Sequence, residues 1–335
     1  MSLLRQRPSL TKADRLMNED DLIARYFAPL AGAEGLGLLD DAALVSVPSG
    51  QDLVITCDAL VAGVHFFEHD PADAVAAKAL RVNLSDLAAK GATPRGFVVT
   101  LALNSFDEAW LQAFSRGLKA DIGTFAFPLL GGDTVKTPGP VMISVTAFGL
   151  VPQGQMVPRT GARAGDALYV SGTIGDAALG LLERQGTISA GQGGAHLVAR
   201  YLVPEPRNGL SAALRAHAHA AMDVSDGLIG DLSKMMRVSG VTAEVHLSDV
   251  PLSAGARAVI GEDEALFASA LAGGDDYEIL AAVAPDQVQA FEQAALLAGV
   301  PVTQIGRVEA GHAPPRFLNQ SGAPVTFSKG SFSHF

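Results

Sequence analysis

The 335-residue sequence predicts a two-domain α/β protein. Three observations carry this. Strand-like and helix-like segments alternate through both halves. Hydrophobic residues make up 48% of the chain and charged residues 18%, enough to build a sizeable core at a length that accommodates two domains. Residues 152–166 are rich in Pro, Gly and Arg and carry no period, which marks a boundary. The expected division is a loose tail over 1–17, a first domain over 18–151 and a second over 152–335.

The elements follow in order. Asn18 is placed to cap a helix starting at Glu19-Asp20-Asp21, where Leu22, Ile23, Tyr26, Phe27 and Leu30 form an apolar face. Gly32, Gly35 and Gly37 open a loop that ends at Asp40-Asp41. Residues 42–47 and 52–56 read as paired strands around Pro48-Ser49-Gly50. Asp70-Pro71 starts a helix that Gly91 stops. Lys78, Asn83 and Asp86 lie on it, and Asn83 and Asp86, three apart, share a face. A strand over 97–103, a helix over 107–122 and a short strand over 127–130 come next. The last of these runs straight into Gly131-Gly132-Asp133, and a long strand over 141–151 closes the first half.

The second half opens with a buried strand over 167–170 and a helix from about Asp176. The Gly-rich stretch 185–195 reads as a loop. A strand over 220–224 delivers Asp223, and Ser225-Asp226-Gly227 begins a helix running to Val238. A strand over 243–247, a helix near 263–271, a strand over 277–283, a helix over 285–298 and a strand over 302–308 complete the pattern.

Charge and cysteine content exclude several functions. The net charge of -11 argues against nucleic acid or anionic membranes as partners, since both are bound through basic surfaces. Cys57 is the sole cysteine, so the chain has no internal disulfide and no cysteine-based zinc site, and a reducing cytoplasm fits. No run of about 18 apolar residues suits a membrane span. The first 17 residues carry Arg5, Arg7, Lys12 and Arg15 without an apolar core, unlike a signal peptide.

Six short acidic signatures are spread along the chain among small residues. They are Asp40-Asp41, Thr56-Cys57-Asp58, Asn83-Leu84-Ser85-Asp86, Gly131-Gly132-Asp133-Thr134, Asp223-Val224-Ser225-Asp226-Gly227 and Gly273-Gly274-Asp275-Asp276. Clustered carboxylates repel one another and persist where hard cations neutralise them. Mg²⁺ takes a few carboxylates plus substrate phosphates, so the pattern points to several Mg²⁺ ions and a nucleotide. Each signature also has a plainer reading. Asp40-Asp41 suits a solvated turn, Asp86 a surface position on an amphipathic helix, Gly131-Gly132-Asp133 a turn, and Ser225 or Asp226 a helix cap. Asp223, Ser225 and Asp226 at one strand-to-helix corner are the most specific, because a cap accounts for one residue of the three. No G-x-x-x-x-G-K-[ST] phosphate loop, protein-kinase loop set or G-x-S-x-G elbow is present.

In their order and spacing these segments resemble the thiamine-monophosphate kinase family over residues 19–335. Lys78-Ala79-Leu80, Arg159 before Gly161, Gly165-Asp166, Val170-Ser171-Gly172 and Gly175-Asp176 extend the match. The resemblance implies a two-domain PurM-like fold shared with aminoimidazole ribonucleotide synthetase and selenophosphate synthetase. In it an N-terminal α/β domain binds ATP and Mg²⁺ and pairs in a homodimer, and a C-terminal α/β domain completes the cleft. It implies ATP-dependent phosphorylation of thiamine monophosphate. By carry-over, Asp41, Asp58, Asp86, Asp133, Asp223 and Asp226 hold Mg²⁺, with Thr56 and Cys57 in the same cluster. Gly132, Asp133, Arg159 and Ser225 contact ATP, with Arg159 also a candidate at the transferring group. His65, Asp275 and Phe332 line the thiamine-phosphate pocket. No general base is implied. Leu39 stands where the family has Gly, Cys57 where it has Thr, and Asp275 where it has Glu.

Two other readings compete. One is a synthetase of the same superfamily acting on a different acceptor; the reactive cysteine that selenophosphate synthetase needs near its N-terminus is missing here. The other is a non-catalytic module that binds Mg²⁺ or nucleotide.

Overall fold

The structure is a computed structural model that describes residues 19–327. The expected cap Asn18 and the tail over 1–17 lie outside the described residues. The chain enters on a single α-turn, α1 (Glu19–Leu22), which passes into a π-turn over Ile23–Phe27 and a 3-10 turn over Ala28–Leu30. The expected apolar face is present, with Leu22, Tyr26, Phe27 and Leu30 buried. A regular helix cannot continue because Pro29 has no N–H to donate.

Next come β1 (Gln51–Val61), α2 (Ala72–Ala89), β2 (Thr93–Leu103), α3 (Glu108–Phe125), β3 (Leu129–Lys136) and β4 (Met142–Pro152). Asp107 starts α3 by accepting the N–H groups of Ala109 and Trp110. The sheet order is β1-β4-β2-β3, with β2 and β3 parallel and the other neighbours antiparallel. Residues 42–47 do not form the expected strand. β1 instead pairs along its whole length with β4, from Gln51 opposite Pro152 to Val61 opposite Met142. Leu44 N–H goes to the Glu34 carbonyl, and the other edge of β1 is left open.

A second correction concerns Gly131-Gly132-Asp133, which lies within β3 and not in a turn. A Cβ on Gly132 would come within 2.1 Å of the Val99 carbonyl, so glycine here admits the close approach of β2.

The second half contains β5 (Ala167–Ser171), α4 (Asp176–Arg184), α5 (Gly194–Leu202), α6 (Ser211–His217), β6 (Ala218–Val224), α7 (Leu228–Ser239), β7 (Thr242–His246), α8 (Ala254–Glu262) and α9 (Ala265–Ala272). It closes with β8 (Glu278–Val283), α10 (Val288–Leu297), β9 (Val302–Glu309), β10 (Arg316–Leu318) and β11 (Pro324–Val325). Seven strands form one sheet in the order β11-β10-β7-β9-β5-β8-β6. An Ala-rich helix end at His217, expected from the sequence, is α6, whereas α5 and α8, short and containing Gly, were not expected.

The two halves share α2. Its first turns pack with the small sheet through Val75, Ala76, Leu80 and Leu84. Its last turn, Ala88 and Ala89, packs in the core formed by β5, β6, β8, α6 and α10. The helix is apolar around most of its circumference, as burial on all sides demands. This overturns the surface-helix reading of Asp86: the acid projects from a buried helix into the space between the halves.

Candidate active site

A cleft of ≈ 960 Å³ opens between the two halves. Asp58, Asp86 and Arg159 reach it from the first half and the linker, and Asp223, Ser225, Asp226 and Asp275 from the second. Their placement follows from local structure. Thr56 and Asp58 lie on the face of β1 turned toward α2. There the Thr56 hydroxyl donates to Asp86 Oδ2, and the Asp58 N–H donates to Asn83 Oδ1 at 3.1 Å. Asn83 also anchors itself to the Ala79 carbonyl, so α2 fixes the position of β1 at the acid. Asp223 ends β6 and accepts the Ser85 hydroxyl at 2.9 Å across the cleft.

These acids crowd one another. Burial, and then the charges of Asp86 and Asp226, push the Asp58 carboxyl up to about 6. Burial raises Asp223 well above the usual carboxylate range, and the Asp86 charge adds to this, while the Ser85 hydroxyl pulls the other way. A cation between them would relieve this repulsion, so the donor set of hard carboxylate oxygens fits Mg²⁺. Among the described residues no three acidic, imidazole or thiol groups stand close enough to hold an ion unaided. Phosphate oxygens would have to complete the coordination.

The Ser225-Asp226 corner is built differently from its expected form. Neither side chain caps α7; Gly227 precedes the helix with φ of 99°. Asp231, fully buried in the first turn of α7, accepts the N–H groups of both Ser225 and Asp226 at 3.0 and 2.9 Å. Lys234 bonds Asp231 and forms an ion pair with Asp226. Asp231 escaped the sequence reading because an acid in the first helical turn is commonplace.

The expected acids do not all meet. Asp41, Gly132 and Asp133 line a separate pocket of ≈ 280 Å³ with Ile23, Phe27, Leu38 and Val99. The strand register explains the division. Asp133 pairs with Thr100, Thr100 with Ser144 and Ser144 with Ala59, placing Asp133 on the face of the sheet opposite Asp58. The Cys57 side chain is on that open face too, against Ser144 and Thr146, so its thiol points away from Asp58 and Asp86. A side-chain role for Cys57 in the Asp58 cluster is thereby excluded within one copy of the chain.

At the other end of the cleft, His65 accepts the Val61 N–H on Nδ1 at 3.0 Å. Asp275 pairs with Lys78, and its neighbour Asp276 is buried and accepts the Gly175 N–H with both oxygens at 2.9 Å. Asp276 is therefore a structural cap on α4. Phe332 lies outside the described residues, and the last described residue, Phe327, lines the cleft. Lys90, on the final turn of α2, donates to the Ala221 carbonyl at 2.7 Å. Its ammonium is pushed down to about 8 by burial, partly offset by Asp223, with Arg159 adding to the lowering. No helix among the described residues is long and apolar enough to cross a membrane.

Comparison with known proteins identifies the fold and the family. Residues 39–151 match the AIR synthase related protein N-terminal domain, and residues 163–315 match its C-terminal domain. The chain is 46% identical to a thiamine-monophosphate kinase from Caulobacter vibrioides, over 94% of this chain and 90% of that protein. It is 40% identical to the thiamine-monophosphate kinase of Escherichia coli K12, over 95% of this chain and 98% of that protein. The crystal structure of thiamine-monophosphate kinase from Stenotrophomonas maltophilia superposes with a TM-score of 0.78 at 40% identity, covering 86% of this chain and 91% of that one. A structure of AaThiL complexed with AMPPCP and TMP superposes with a TM-score of 0.75 at 30% identity, covering 97% of this chain and 100% of that one.

Proposed function

The chain belongs to the thiamine-monophosphate kinase family and is a phosphotransferase; from that premise we propose that it transfers the γ-phosphoryl group of ATP, directly and in line, to the phosphate of thiamine monophosphate. The products are thiamine diphosphate and ADP. The observation that carries this is the meeting of Asp58, Asp86 and Asp223, from both halves, in a cleft where burial and neighbouring charge raise the Asp58 and Asp223 carboxyls. Such a cleft repels phosphates unless cations stand between.

Asp58, Asp86 and Asp223 would hold Mg²⁺, with Asp226 beside them and Thr56 orienting Asp86. When bound, Mg²⁺ supplies charge neutralisation between the two polyanions and a template that aligns them. The acceptor phosphate is already an anion at neutral pH, its second pKa being near 6, so no general base is required. Positioning and charge then account for the barrier. Arg159 contributes a positive charge at the cleft wall, and the corner held by Asp231 presents Ser225 to the nucleotide.

The smaller pocket faces away from its own copy's Asp58, so it would take the base of a nucleotide whose phosphates lie in a second copy's cleft: Ile23, Phe27, Leu38 and Val99 form an apolar floor, with Gly132, Asp133 and Asp41 at its polar side. The chain would act as a homodimer through the open face and edge of the four-stranded sheet. Ile55 is 57% exposed there, beside the exposed Cys57. A second copy on this face would bring its own Asp41 and Asp133 to a shared site. Light scattering tests this, and a monomer at working concentration would remove it.

The kinase reading is tested by ADP release from ATP, with Mg²⁺, across candidate acceptors. ADP formation dependent on thiamine monophosphate is expected. Folded protein that releases none with that acceptor would overturn the reading.

A further inference from the structure

We propose that Lys78 is a positioning residue for the acceptor: it fixes the Asp275 carboxylate and the His65 loop across the boundary between the halves. This deepens the kinase reading above and rests on it. Lys78 lies on α2, its side chain only 2% exposed. A buried ammonium must be fully partnered to be tolerated. Its three partners all lie where His65 and Asp275 meet, the end of the cleft that the family resemblance assigns to the acceptor. Lys78 Nζ donates to Asp275 Oδ2 at 2.7 Å and to the His65 carbonyl at 3.0 Å, and it sits 4.0 Å from the centre of the Tyr201 ring. Tyr201 OH faces the same His65 carbonyl at 3.5 Å.

The backbone of the loop that carries Asp275 is hydrogen-bonded at Asp275, Asp276 and Tyr277. Asp275 and Tyr277 adopt φ of 70° and 52°, strained for residues other than glycine. The backbone is held there by Asp275 N–H to the Ser225 carbonyl, Tyr277 N–H to the Val224 carbonyl, and Arg200 to the Asp276 carbonyl. What remains free is the rotation of the Asp275 carboxylate, and Lys78 sets it, leaving Oδ1 toward the Tyr277 hydroxyl at 3.4 Å. The pairing also has a charge consequence. Among the described residues, Asp58, Asp86 and Asp223 gather unpaired carboxyls at the phosphate end, whereas Asp275 is matched by Lys78.

The test compares Lys78→Met, Asp275→Asn and the double variant, using steady-state kinetics and calorimetric binding of thiamine monophosphate. Lys78→Met is expected to raise KM and Kd for thiamine monophosphate by about tenfold or more while KM for ATP moves less than about twofold. In the Asp275→Asn background the same change should add less than about twofold, because the two residues act as a unit. Lys78→Arg, which keeps the charge, should recover part of the loss. Equal changes for ATP and acceptor, or additive effects of the two substitutions, would overturn the proposal. If Lys78→Met does not fold, Lys78→Arg decides: an acceptor-selective rise in KM supports the proposal and an unchanged acceptor KM overturns it. Wild-type protein that neither binds nor phosphorylates thiamine monophosphate would instead overturn the kinase reading.

Discussion

The Ser85 hydroxyl donates to Asp223 at 2.9 Å, joining α2 of the first half to the end of β6 in the second. The bond stabilises the ionised form of an acid that burial otherwise drives toward protonation. Ser85→Ala should raise the Asp223 pKa further. Fewer carboxylates are then ionised at neutral pH, so the acidic limb of the rate profile should move to higher pH and more Mg²⁺ should be needed at pH 7. A pH–rate series at several Mg²⁺ concentrations measures both. An unmoved acidic limb would remove Asp223 from the cation-binding set.

Asp223→Asn and Asp58→Asn should each lower turnover by about 100-fold or more, since each removes a hard anionic donor while conserving volume. Circular dichroism and thermal unfolding should show an intact fold. Normal turnover in either variant would rule out its assigned role.

The same carboxylates should destabilise the protein when no divalent cation is present. The Asp58 carboxyl is pushed up to about 6, and Asp223, Asp231 and Asp276 are also raised, burial being the first cause in each. For a group raised in the fold, the associated stability is fully present below the ordinary carboxylate value near 4 and is lost as pH rises through the folded value. Stability without Mg²⁺ should therefore fall between pH 4 and about 6 to 7 as far as these groups decide it. Asp58→Asn should gain about 1–3 kcal/mol at pH 7.5 in urea unfolding without Mg²⁺ while losing activity. No gain would show that the crowding is relieved some other way.

How far the sequence reveals the site depends on what each residue needs from distant parts of the chain. Asp223 and Asp86 were legible because a strand end and a polar run in an apolar helix are local signals, whereas Asp58, expected at a strand end, lies inside β1, which runs on to Val61. That Asp133 and Cys57 face away from Asp58 was not. Side-chain facing depends on strand register, and the register turned on β1 choosing β4 and not residues 42–47. Lys78 and Asp275 lie 197 residues apart, and only the shared position of α2 between the cores brings them together. Most strands were placed to within a few residues by their apolar runs. The short helices α5 and α8 owe their stability to tertiary burial, which local propensity does not reveal.

Gly132→Ala should separate nucleotide binding from the acidic cleft. Its Cβ would come within 2.1 Å of the Val99 carbonyl, so β3 has to move away from β2. Overpacking of this kind costs about 1–3 kcal/mol. Because Gly132 and Val99 line the smaller pocket, KM for ATP should rise more than KM for thiamine monophosphate. A larger effect on the acceptor would argue against placing the nucleotide base there.

Glu278 is fully buried between Arg200 and Arg207 and also accepts the Ser171 hydroxyl at 2.6 Å. Removing it would leave the mostly buried Arg200 and Arg207 with the exposed Glu205 as their only carboxylate among the described residues. Breaking a buried ion network from one side costs about 3–5 kcal/mol, so Glu278→Ala should lower the urea midpoint sharply. Glu278→Gln keeps the shape and one acceptor oxygen but loses the charge and turns the other oxygen into a donor, and should fall between. Arg200 also holds the Asp276 carbonyl, so the loop that fixes Asp275 should loosen in both variants. The kinetic signature is a rise in KM for thiamine monophosphate that survives in Glu278→Gln at temperatures where its fold is intact. A stability loss with acceptor KM unchanged would confine Glu278 to the core and release the loop from its control.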